Sequence, residues 1–158
     1  KAPEPKELGD KWLSAGGVIV MSDTPAEIND HMNIMKLVDH FAGSVLIHGL
    51  GMGMFLKYVL SKEKVTKVDV VEIDQDLIDL VGPHYNDPRL TIHQCDCFTF
   101  KWPPGSFWNV VWHDIWDTLS EENLKEMRKL QRKFGIRCEF QDSWGKSWIL
   151  ANRRRNNY

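Results

Sequence analysis

Four short stretches of this chain carry residue types able to hold a nucleoside or move a proton. Gly49, Gly51 and Gly53 alternate just behind the apolar run Val45-Leu46-Ile47. Glycines there let the backbone come close to a ligand while the next helix begins. Glu72 stands nineteen residues after Gly53, at the end of the next apolar run, where a carboxylate can accept both hydrogen bonds of a ribose diol. Asp96-Cys97 closes a third run, and an acid there can accept from an adenine amino group while the Cys97 amide donates to a ring nitrogen. His113-Asp114 closes a fourth run. Either side chain suits removal of a proton from an amine or hydroxyl, imidazole because it titrates near neutral pH. A glycine loop followed by an acid serves NAD as well as an adenosyl group, so these residues alone leave both open.

These residues are useful only if the chain brings the four run ends together. Val18-Ile19-Val20 predicts a short strand, and Ile28, Met32, Met35, Val38 and Phe41 recur at helical spacing until Gly43, with Thr24 before Pro25 as the cap. Strands are expected over 44–49, 67–73, 90–94 and 107–115, and helices over 54–60, 76–81 and 120–133. Residues 136–152 fit either a hairpin or a strand and short helix. Strands alternating with helices in this order imply right-handed crossovers and a Rossmann-like, doubly wound, mostly parallel α/β sheet, with ligands at the carboxyl ends of the strands. Alternation along Trp108, Val110, Trp112 and Asp114 puts those four on one sheet face and His113 on the other, so Asp114 is the preferred proton acceptor. Asp74 is read as the cap of the following helix.

Composition narrows the class further. The chain has 158 residues, 42% hydrophobic and 27% charged, which suits one globular domain at 17–158 behind a leader at 1–16. Cys95, Cys97 and Cys138 are odd in number, which argues for free thiols in a reducing, cytoplasmic setting. No apolar run reaches the roughly 20 residues of a membrane span, so no membrane partner is expected. His93, Cys95 and Cys97 alternate but lack the paired spacing of structural zinc, so no metal is expected. Residues 1–120 hold 10 Lys/Arg against 17 Asp/Glu, whereas residues 121–158 hold 10 against 5. The basic end lacks the aromatic interleaving of single-strand binders, so nucleic acid is not the expected partner. The seven tryptophans are expected as core, with Trp116 and Trp12 as candidate walls of an acceptor pocket.

Val45-Leu46-Ile47-His48-Gly49-Leu50-Gly51-Met52-Gly53, Val70-Val71-Glu72-Ile73-Asp74, Asp87-Pro88-Arg89 and Val110-Val111-Trp112-His113-Asp114-Ile115-Trp116-Asp117 resemble class I S-adenosylmethionine-dependent methyltransferases, in their spermidine-synthase-like branch. The resemblance spans residues 17–133. It implies that the glycine loop passes beneath the methionine part of the cofactor and that Glu72 holds the ribose. It also implies that Ile73 packs on adenine, that Asp96 with Cys97 reads the base edge, and that Asp114 lies beside the reacting centre. Asp114 and Asp117 keep the two acids that aminopropyl-transferring members place near the amine. Those members carry an acid in the glycine loop that repels the carboxylate of intact S-adenosylmethionine; here the position is Met52, which favours the intact cofactor.

The function expected is therefore S-adenosylmethionine-dependent methyl transfer to a small-molecule acceptor. Aminopropyl transfer and a non-catalytic cofactor-binding or interaction domain are the alternatives. The residues left after the fourth strand are too few for the usual family core. The sheet is thus expected to be abbreviated at its C-terminal edge, either completed by a partner subunit in a homodimer or left open.

Overall fold

The computed structural model describes residues 30–156, together with the backbone of two earlier strands. These two, β1 (Trp12–Ala15) and β2 (Val18–Ser22), pair antiparallel; the first lies within the stretch expected as a leader. The Thr24 cap, Ile28 and the side chain of Trp12 lie outside the described residues.

From residue 30 onward helices and strands alternate, except that β5 and β6 follow one another with no helix between them. The helix α1 (Met32–Phe41) leads into β3 (Gly43–His48), α2 (Met54–Leu60), β4 (Val65–Glu72) and α3 (Gln75–Val81). A 3₁₀ turn then precedes β5 (Leu90–Gln94), β6 (Trp108–His113), α4 (Asn123–Phe134), β7 (Cys138–Ser143) and α5 (Lys146–Asn156). The uncertain tail is thus a strand and a helix. The five strands form one parallel sheet in the order β5-β4-β3-β6-β7. Strand order reverses between β3 and β6, and the crevice at such a reversal is where ligands bind in open α/β sheets.

Both faces are covered, which is why the strands read as unbroken apolar runs. On one face Val45, Ile47, Val68, Val70, Val110 and Trp112 pack against α1, α2 and α3. On the other, Leu46, Val71, Trp108 and Val111 pack against Leu130 and Phe134 of α4, and Ile149 of α5 docks on Leu124 and Met127 of α4. The buried line of α1 is Ile34 and Val38, with Met35 and Phe41 beside them. Met32, expected in that line, is 43% exposed because the helix begins there and its stripe starts at the preceding His31.

Strand alternation does not hold at every strand start. Trp108 joins the α4 face, opposite Val110 and Trp112, and its indole N–H donates to the buried Asp69 carboxylate at 2.9 Å; on β7 Cys138 and Phe140, two residues apart, likewise join opposite clusters. Asp69 also accepts from His93 at 2.8 Å, so the histidine imagined as a metal ligand is already committed. Arg89, part of the family-like stretch, has a structural task. It is clamped by Asp87 and donates to the carbonyls of Leu60, Lys62 and Val65, tying the end of α2 to the start of β4. Among the described residues no helix is long and apolar enough to cross a membrane.

Candidate active site

The loop after β3 is shaped by its glycines. Gly49 has φ of 93°, and a Cβ there would collide with the carbonyl oxygen of Asp114, so only glycine lets the β3 and β6 ends approach. Gly53 caps α2 in the left-handed region, with φ of 79°. Its Cβ would strike the Tyr85 ring, whose hydroxyl donates to the Gly53 carbonyl at 2.8 Å.

Beside this loop, at the carboxyl ends of the strands, lies a cleft of about 620 Å³, within the range of small-molecule sites. Its wall includes Gly49, Gly51, Glu72, Ile73, Asp96 and Cys97, all expected to bind a cofactor, and also Asp114, Trp116 and Asp117. Gly53 instead lines an adjoining cavity of about 20 Å³, with Met52, His31 and Asp114. Six carboxylates line the large cleft (Glu72, Asp74, Asp76, Asp96, Asp114 and Asp117), and no Lys or Arg stands among its described lining residues. Such a cleft favours a cation.

Glu72 is buried, and both its oxygens are already aligned: Oε2 accepts the Leu50 N–H at 2.8 Å and Oε1 the Asp74 N–H at 2.9 Å. A carboxylate has about four acceptor positions, so two remain for a diol. Ile73, next along the chain, is 63% exposed on the cleft wall, an apolar surface without a protein partner to cover it. Asp74 accepts the N–H groups of Asp76 and Leu77 as the cap of α3, the role read for it from the sequence.

Past β5 the chain makes a tight turn. Asp96 Oδ1 accepts the Phe98 N–H at 2.8 Å, and its carbonyl accepts from Thr99 and Phe100. Among the described groups no other residue accepts from the Cys97 N–H. The Cys97 thiol is pushed up to about 12 by burial and by the nearby Asp96 charge, so it is neutral and unreactive. Cys95 is raised for the same reasons.

Asp114 is held from a direction the sequence did not reveal. His31, at the start of α1, places Nε2 2.9 Å from Asp114 Oδ2. Its ring packs beside Phe55 and Trp112, at centroid distances of 5.8 and 5.6 Å. The side chain of Asp114 remains 13% exposed, that of His31 only 3%. Trp116 is fixed by α4, its indole donating to Glu126 at 2.7 Å, and Asp117 is exposed.

His113, expected as a second candidate base, is not part of this group. It is 1% exposed and lies on the α4 face, in register with His48 on the neighbouring strand. Their Nδ1 atoms are 2.8 Å apart, and His113 Nε2 lies 3.0 Å from Gln141 Oε1. Gln141 donates its own amide to the Gln131 carbonyl at 2.8 Å, so its oxygen must accept from His113 Nε2–H. His113 Nδ1 then accepts from His48, whose Nε2 has no partner. Burial pushes His113 down to about 4 and His48 well below its usual value, so both rings are neutral, and neither lines the cleft.

With this geometry in hand, comparison with solved structures identifies the architecture. The N-methyltransferase NodS from Bradyrhizobium japonicum WM9 superposes with a TM-score of 0.56 and 14% identity, covering 73% of this chain and 64% of that one. The fold is that of the Rossmann-like methyltransferases. Among curated proteins, a polyamine aminopropyltransferase of Bacillus cereus is 33% identical over 101 residues, 58% of this chain and 27% of that protein. One from Prochlorococcus marinus is 33% identical over 92 residues, 51% of this chain and 32% of that protein. The chain therefore spans about a third or less of the length of these relatives. No family model matches it.

Proposed function

We propose that the acidic cleft binds S-adenosylmethionine and that the protein transfers its methyl group to a small-molecule amine or hydroxyl. The observation that carries this reading is the pairing of an oriented Glu72 carboxylate with a cleft lined by six acids and no described cation. A sulfonium nucleoside satisfies both features, whereas the diphosphate of NAD would face uncompensated negative charge. When bound, the cofactor supplies an already activated methyl group on sulfur.

The chain's own residues then have limited tasks. Glu72 accepts from the ribose hydroxyls, and Ile73 covers one face of the base. Asp96 accepts from the amino group, and the Cys97 N–H donates to the ring. The backbone of 49–53 borders the amino-acid part, and the surrounding acids favour the positive sulfur. Asp114, steadied by His31, takes the proton that an attacking amine or hydroxyl must lose. Trp116 and Asp117 border the acceptor. Alignment and exclusion of water provide the remaining acceleration, so no protein nucleophile is required.

The curated relatives favour a second reading, aminopropyl transfer from decarboxylated S-adenosylmethionine. Met52 speaks for the intact cofactor, because it adds no charge to repel the amino-acid carboxylate. Thermal-shift titration with S-adenosylhomocysteine and with NAD tests the site. A ligand at 100 times its dissociation constant adds about 2.7 kcal/mol, and stabilisation by NAD alone would overturn the assignment. Calorimetry with intact against decarboxylated S-adenosylmethionine separates the two reactions.

A further inference from the structure

We propose that Lys133, which does not touch the cleft, is the positioning residue that gives the site its preference for adenine. Its ammonium, in the last turn of α4, reaches the carbonyls of Cys97 at 2.9 Å, Phe98 at 3.1 Å and Phe100 at 2.6 Å. A lysine has three N–H donors, and here each has its own acceptor on one turn of chain. Asp96 and Cys97 of the same turn line the cleft, while Lys133 is absent from that wall. The turn is shaped by its own bonds: Asp96 Oδ1 accepts the Phe98 N–H at 2.8 Å, and the Asp96 carbonyl, in the same peptide plane as the Cys97 N–H, accepts from Thr99 and Phe100. Lys133 grips the outer side of that turn and ties it to α4.

The carbonyls of Cys97, Phe98 and Phe100 are otherwise unbonded among the described groups. Loss of the ammonium would leave three acceptors to seek water and remove these ties to α4, so that the turn, with Asp96 and Cys97, would shift as a unit relative to the cleft. Lys133 is half-buried; burial pulls its pKa down, and the nearby Asp96 charge works the other way.

This role rests on the reading of the cleft as an adenosyl site. It predicts a loss of base discrimination rather than a general loss of binding. The test is calorimetric affinity for S-adenosylhomocysteine and for S-inosylhomocysteine, in which an oxo group replaces the amino group, with melting temperatures for each variant. The wild type should prefer the adenosyl compound by about tenfold or more, the cost of an unmatched hydrogen bond in a confined site. Lys133→Met should bring the ratio close to one. Lys133→Arg, whose planar fork cannot meet three carbonyls in the same way, should keep an intermediate preference. If Lys133→Met does not fold, Lys133→Gln serves in its place. A variant that melts lower but keeps the wild-type ratio refutes the role of Lys133 alone. A wild-type protein that binds neither compound refutes the adenosyl reading, and this role with it.

Discussion

Replacing Glu72 by glutamine tests the centre of the functional reading, because it removes charge and one acceptor while keeping shape. In the native protein both carboxylate oxygens accept backbone N–H groups, from Leu50 at 2.8 Å and Asp74 at 2.9 Å. Glutamine can accept only one of them, and its amide hydrogens then face the other donor. A hydrogen bond to a charged partner is worth about 1.5–3 kcal/mol, and the orphaned N–H adds to the loss. A cost of about 2 kcal/mol corresponds to a melting point roughly 4–8 °C lower for a domain of this size. Binding should suffer separately, by about 10- to 100-fold for S-adenosylhomocysteine, since the diol loses an acceptor. The decisive assay is a cycle with the 2′-deoxy analogue of the same ligand. The wild type should lose affinity on deletion of the hydroxyl, and Glu72→Gln should be nearly indifferent to it. If wild type and variant respond equally to the deoxy analogue, Glu72 does not hold the ribose and only its structural part survives.

Other outcomes follow from the same geometry. Asp114→Asn leaves an acceptor for His31, so it should bind S-adenosylhomocysteine normally but lower single-turnover methyl transfer by about 10²–10⁴-fold; unchanged turnover would remove Asp114 from proton transfer. Met52→Asp should weaken intact S-adenosylmethionine by roughly five- to tenfold and spare the decarboxylated form, read by calorimetry with both compounds. The buried pair His48 and His113 makes the fold sensitive to acid. His113 is lowered to about 4 in the native state, so between about pH 6.5 and 4 the unfolded chain binds the extra proton. The stabilisation from keeping His113 neutral, about 3 kcal/mol, is present in full above that window and lost as pH falls through it. Urea midpoints at pH 7 and pH 5 measure the fall, and His113→Gln should flatten it.

Runs of β-branched and aliphatic residues between glycines left little freedom over where the strands lie: 90–94 is recovered unchanged, and the others shift by only a few residues at their ends. The same runs, ending in glycine or acid, placed all the cofactor-site candidates but Gly53 on one cleft, because the ends of parallel strands lie on the same side of the sheet. Local pattern also separated Asp114 from His113, since neighbours on a strand point to opposite faces. It failed at Trp108, which joins the opposite face and donates to Asp69.

What periodicity could not supply is every contact between residues far apart in sequence. His31 meets Asp114 across 83 positions, and Lys133 meets Cys97 across 36. Neither residue carries a motif, and each acquires its partner only when a helix packs over the sheet. The amino-acid order alone determined the strands, their common ligand-bearing end and the chemical types displayed there, because those depend on local backbone preference and burial. Which of those side chains would be held still, and by what, was decided by tertiary packing, because hydrogen bonds are short-ranged and form only between groups that the finished fold brings together.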